Sequence, residues 1–191
     1  MPSAYILFGA ATPPTDVAAQ YFDASSMLVT WAVPVTDGGY PISSYTVTLE
    51  PGTITTSVTT TYAIIPDCTF GETYTITVVA VNGTLDSQPS TPLSYLFIKR
   101  PDPPTDVSAN VIGSRTVFVE WTPPVFDGGS AIQKYRVISI PGSIVQETDG
   151  PETSLQLNFP PQPPNNYTFV VLAINEAGPS DNSLPSNPVT V

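Results

Sequence analysis

A chain of 191 residues with five basic against sixteen acidic side chains has a formal charge of −11, and its field repels phosphate backbones and anionic lipid surfaces. The absence of histidine removes the commonest general base and metal ligand, and a lone cysteine, Cys68, excludes an intrachain disulfide or a thiolate zinc cluster. With 23 prolines, 12 glycines and many Val, Ile, Thr and Tyr, the composition is that of an all-β chain rich in turns, long enough for two domains of about 95 residues each.

The chain opens with "MPSAYILFGAATPPTDV", whose apolar run from Ala4 to Ala11 is broken by Gly9 and is too short to cross a bilayer. No basic residues precede it, so neither a secretory signal nor a membrane anchor is read here, and no membrane insertion is expected. After "PPTDV" at Pro13 to Val17, Met27, Val29 and Trp31 alternate with Leu28 and Thr30, which predicts a strand with one face in a core. "DGGYPISSY" follows from Asp37. An Asp side chain can accept from amides just ahead of it and paired glycines supply positive backbone angles, so this reads as a turn. A phosphate cradle would lead into a helix, whereas "YPISSYTV" reads as a strand anchored by Ile42 and Tyr45. Calcium is not expected at Asp37, Asp127 or Asp181, because none belongs to a run of acids spaced two apart. No Lys or Arg lies near Cys68 in the sequence, so its thiol is expected to be packed rather than reactive. Farther on, Tyr74, Ile76, Val78 and Ala80 alternate as a second inward face.

The whole pattern then returns. "PPTDV" recurs at Pro103 to Val107, and Trp31 and Trp121, Asp37 and Asp127, and Tyr45 and Tyr135 each stand 90 positions apart. Beyond Pro141 the spacing grows to 93, setting "YTITVVAVN" from Tyr74 against "YTFVVLAIN" from Tyr167, and the three added residues belong in a loop. No stretch keeps a helical apolar period, and the short strands with turns between them predict two β-sandwiches. The expected division is an apolar arm over 1–12, domains over 13–98 and 105–191, and a linker, "KRPDPP", over 99–104. Pro101, Pro103 and Pro104 should make that linker semi-rigid.

"PPTDV", "VTWAVPVTDGGYPISSYTVTL" and "CTFGETYTITVVAVNG" resemble a fibronectin type III domain, as do "VEWTPPVFDGGSAIQKYRV" and "PQPPNNYTFVVLAINEAGPS" in the second copy. The resemblance implies two tandem seven-stranded, immunoglobulin-like sandwiches with Trp31, Tyr45, Trp121 and Tyr135 in their cores. It also implies a tyrosine corner at Tyr74 and Tyr167, each hydroxyl bonded to backbone a few residues upstream. Where the family usually has Leu six residues before that tyrosine, this chain has Cys68 and Pro161. The family's Arg-Gly-Asp integrin motif is absent from "NGTLDSQPS" and "NEAGPSDNS". "NGT" at Asn82 and "NYT" at Asn166 match the N-glycosylation pattern, and without a signal peptide both are read as chance matches.

The ends suggest a way of joining. Tyr5, Ile6, Leu7 and Phe8 align with Tyr95 to Ile98, as though they were the last-strand end of a missing domain. At the other end, aligning Pro185 with Pro89 places Val191 opposite Tyr95, leaving that strand short of "LFI". Three readings stay open: the arm adds to a sheet edge of another molecule, the chain is cut from a longer array, or the arm folds back on its own domain. The expected function is non-enzymatic, without cofactor or metal. It is a rod that decorates or joins protein surfaces through its arm and sandwich edges, with a minor capsid or cement protein of a virion as the first setting. One alternative is a spacer or binding module of a secreted multidomain protein, such as a carbohydrate-active enzyme or adhesion protein. Another is an enzyme with an unrecognised carboxylate pair.

Overall fold

Alternating apolar residues close two separate cores, and the chain divides between them after Phe97, which belongs to the first. The computed structural model describes residues 9–83, 85–142, 144–161, 163 and 165–191. The first unit contains β1 (Thr15–Asp23), β2 (Ser26–Ala32), β3 (Ser44–Glu50), β4 (Ile54–Val58), β5 (Tyr62–Ile65), β6 (Thr73–Asn82), β7 (Leu85–Asp86) and β8 (Leu93–Leu96). One sheet has the order β1-β2-β5, and the other β4-β3-β6-β7 with β8 also paired to β6. The second unit repeats this order with β9 (Thr105–Gly113), β10 (Thr116–Thr122), β11 (Lys134–Ile140), β12 (Val145–Glu147), β13 (Ser154–Asn158), β14 (Asn166–Asn175), β15 (Gly178–Pro179) and β16 (Val189–Thr190). Counting β7 with β8, and β15 with β16, as one interrupted edge gives each unit seven antiparallel strands.

The inward faces are those the alternation marks. Met27, Val29 and Trp31 on β2 and Tyr74, Ile76, Val78 and Ala80 on β6 are buried, as are Val117, Val119 and Trp121 on β10 and Tyr167, Phe169, Val171 and Ala173 on β14. Each tryptophan rests against the tyrosine of the following strand, with ring centroids 5.4 Å apart for Trp31 and Tyr45 and 5.2 Å for Trp121 and Tyr135. "PPTDV" has a local cause as well. Asp16 and Asp106 adopt φ of 53° and 52°, and the pairing of β1 with β2 and of β9 with β10 shifts register beside them. A bulge with an Asp in the left-handed region thus starts each sandwich, and the Thr15 and Thr105 hydroxyls donate to the Asp16 and Asp106 carboxylates at 3.1 and 3.0 Å.

The interrupted edge follows a period of three that the alternation does not reveal. Ser87 and Ser90 in the first unit, and Ser180, Ser183 and Ser186 in the second, are buried. Each donates its backbone N–H to the neighbouring long strand and accepts that strand's N–H on its hydroxyl oxygen. Ser183 is typical, with 3.0 Å from its N to Val171 O and 2.9 Å from Val171 N to its Oγ. The same exchange joins Ser87 to Ala80, Ser90 to Val78, Ser180 to Ala173 and Ser186 to Phe169. A residue every third position is the period of a polyproline helix, which suits Pro89 and Pro185 between the serines and Pro92 and Pro188 just after them. The hydroxyls replace the carbonyls that a regular strand would have offered.

The register at the end of the chain differs from the sequence alignment. Tyr74 pairs with Tyr95, while Tyr167 pairs with Val189, so Val189 takes the place of Tyr95. Phe97 N donates to Glu72 O at 2.9 Å, and Val191 N to Asn165 O at 3.1 Å, which puts Val191 at the place of Phe97. The period of three carries the second edge on past the point where matching prolines alone would set it.

Candidate functional site

The two Asp-Gly-Gly turns form the best-defined polar constellation repeated in both units. Asp37 Oδ1 accepts from Gly39 N at 2.9 Å, Asp127 Oδ1 accepts from Gly129 N at 2.9 Å, and all four glycines have φ between 74° and 88°. Positive φ explains the glycine type, and a close approach explains it again: a Cβ on Gly38 would strike the Gly9 carbonyl, and one on Gly128 the Lys99 carbonyl. The chain entering each unit lies directly against its turn.

That contact is a set of hydrogen bonds made twice. In the second unit Lys99 N donates to Gly128 O at 2.9 Å and Asp102 N to Phe126 O at 3.0 Å. The Asn175 amide nitrogen then bridges the two segments, donating to Lys99 O at 2.8 Å and Asp127 O at 2.7 Å. In the first unit Gly9 N donates to Gly38 O at 2.9 Å and Thr12 N to Thr36 O at 3.0 Å, and Asn82 Nδ2 donates to Gly9 O at 2.8 Å and to Asp37 O. The Lys99 ammonium adds an ion pair to Asp102 at 3.6 Å and lies 5.0 Å from the Phe126 ring centre. Residues 99–102, expected as linker, are therefore bonded into the second unit.

Asn82 is 3% exposed with its amide nitrogen engaged, a placement that conflicts with sugar attachment there, whereas Asn166 is exposed. Sequence reading missed the part Asn82 and Asn175 play, because the bonds they make reach 73 and 76 residues back along the chain. The signal it did carry was the position of each Asn at the end of the long alternating strand.

The other candidate residues serve the cores. Tyr74 Oη accepts from Thr69 N at 2.9 Å, five residues upstream, and Tyr167 packs against Phe159 with ring centres 4.7 Å apart. The proposed arm residues Tyr5, Ile6, Leu7 and Phe8 lie outside the described residues. Among the described residues no group of three or more His, Cys, Asp and Glu could hold a metal ion. Among the described residues no helix is long and apolar enough to cross a membrane.

The outer faces of the three-stranded sheets differ between units. In the first, Phe22, Tyr62 and Ile64 are exposed and Leu28 half-buried, with Leu28 paired to Ile64 and Thr30 to Tyr62. In the second, Ile112 is exposed as Phe22 is, but the rows of Leu28 and Tyr62 carry Asn110, Phe118 and Gln156 beside Ser108 and Glu120, whose side chains are hydrogen-bonded at 3.1 Å.

The Fibronectin type III domain profile matches residues 12–95 and 102–189, and the chain belongs to that family as a tandem of two such domains. Human pikachurin is similar at 24% identity over 201 aligned positions, covering 94% of this chain and 20% of that protein. Chicken tenascin-R is similar at 39% identity over 64 positions, covering 34% of this chain and 4% of that protein. Among solved structures, a two-domain fibronectin type III segment of chicken tenascin matches at 22% identity and a TM-score of 0.44, covering 93% of this chain and 97% of that one. The chain spans a fifth or less of the length of these two curated relatives.

Proposed function

We infer that this tandem is a binding and spacing module that joins or holds apart protein surfaces without catalysis. The observation that carries the reading is the double family match along nearly the whole chain. The relatives are several times longer than this chain, which favours a segment of a long multidomain protein over the virion setting first expected from the sequence.

Within that reading the partners are proteins, reached through the arm and through sheet edges. The edge containing Pro89, Pro92, Pro185 and Pro188 is a poor template, because proline offers no N–H to an added strand. On the opposite edge of the same sheet, β4 contains no proline and is the better place for strand addition. The arm is tested by comparing residues 1–191 with a 9–191 form for co-sedimentation with the native assembly. Loss of incorporation with both domains still folded is expected, and incorporation at equal yield rejects the arm.

A further inference from the structure

We propose that the Asp-Gly-Gly turn and the asparagine ending the long strand form a latch for the chain entering each domain, with Asn175 the latch residue of the second domain and Asn82 that of the first. The turn supplies the carbonyls of Gly128 and Phe126 as acceptors for Lys99 N and Asp102 N, while Asn175 holds the Lys99 carbonyl from the other side. Both backbone polar groups of Lys99, its N–H and its carbonyl, are thereby occupied by one domain. Phe97, just upstream, is bonded to Gly71 and Glu72 in the first domain, so Ile98 alone separates the two anchor points. Proline restricts only the segment after Lys99, so the bonds that hold Lys99 itself against the second domain belong to the latch rather than to linker stiffness.

The repetition argues for a device of the module and not an accident of one loop. Gly9 and Thr12 make the bonds that Lys99 and Asp102 make, to the same positions of the first domain's turn. Their side chains share nothing with those of Lys99 and Asp102, so the latch recognises entering backbone and not a sequence. Glycine at the turn is what allows that backbone to come so close.

The latch predicts protease access. Trypsin can cut after Lys99, the following Arg100–Pro101 bond being refractory, but only when this segment leaves its seat and extends into the protease. In the 191-residue chain, N175A and G128A should each raise the cleavage rate after Lys99 by about tenfold or more, through loss of paired hydrogen bonds or displacement of the seated carbonyl. N82A, which opens only the first domain's latch, should leave that rate as in the unchanged chain. Amide exchange supplies the reading that a merely destabilised domain would not give: Lys99 and Asp102 should accelerate more than the core amide of Phe169. Should Asn175→Ala fail to fold, Gly128→Ala decides alone. Unchanged cleavage in the folded variants, or equal acceleration by Asn82→Ala, overturns the proposal.

Discussion

Cys68 fills a place where neither a nucleophile nor a polar side chain would serve. It is 6% exposed, its backbone N donates to Ser25 O at 2.7 Å, and its Sγ donates to Ile65 O at 3.4 Å. Burial pushes the thiol above its ordinary value of 9.0, and the Asp67 and Asp23 carboxylates add to the rise while a backbone hydrogen bond at Met27 opposes it. The folded chain therefore keeps the proton that the unfolded chain releases. The resulting stability is fully present below pH 9.0 and is lost as pH rises from there through the folded value. Replacing Cys68 by Val should keep the apolar packing and flatten the first domain's loss of urea resistance above pH 9.0. Burial also raises Tyr45 and Tyr95, so a smaller alkaline loss will remain. Urea midpoints measured from neutral pH upward check this, and parallel curves for the two proteins would reject it.

The strands were legible where burial follows a period of two, and the last edge was not. Met27, Val29 and Trp31 declare their face because each alternate residue meets the core. Ser180, Ser183 and Ser186 are buried as well, but they are polar, three apart and set among prolines, so "PSDNSLPSNP" reads as loop. Their role depends on partners 7, 12 and 17 residues away on β14. Changing one of them to Ala takes the acceptor from a buried strand N–H, and each of Ser180→Ala, Ser183→Ala and Ser186→Ala should cost about 1–3 kcal/mol. Ser90→Ala should cost the first domain a similar amount, about 1–3 kcal/mol, by stranding the Val78 amide. Chemical denaturation of the single variants measures this. Changes within about 0.5 kcal/mol would mean that water or backbone adjustment replaces the hydroxyl.

For the molecule as a whole, the repeat made two sandwiches readable before their strands were known, but placed the start of the second one too late in the chain. Composition marks residues 99–104 as a linker because prolines and charges cluster there. In space, Pro101 and Pro104 are buried, and Lys99 and Asp102 bond to the second domain's own loops. A fragment beginning at residue 105 would leave Gly128 O and Phe126 O without these donors, and would leave the Asn175 amide, 2% exposed in the intact chain, without Lys99 O. A fragment of residues 98–191 retains every one of these bonds and its own hydrophobic core. It should fold alone and exceed the 105–191 fragment in unfolding free energy by about 1–3 kcal/mol, since several modest hydrogen bonds and the burial of proline are at stake. Urea unfolding followed by Trp121 fluorescence compares the two directly. Equal midpoints would show that the entering segment rests on the domain without stabilising it, whereas a lower midpoint for the shorter fragment makes residues 98–104 part of the folding unit.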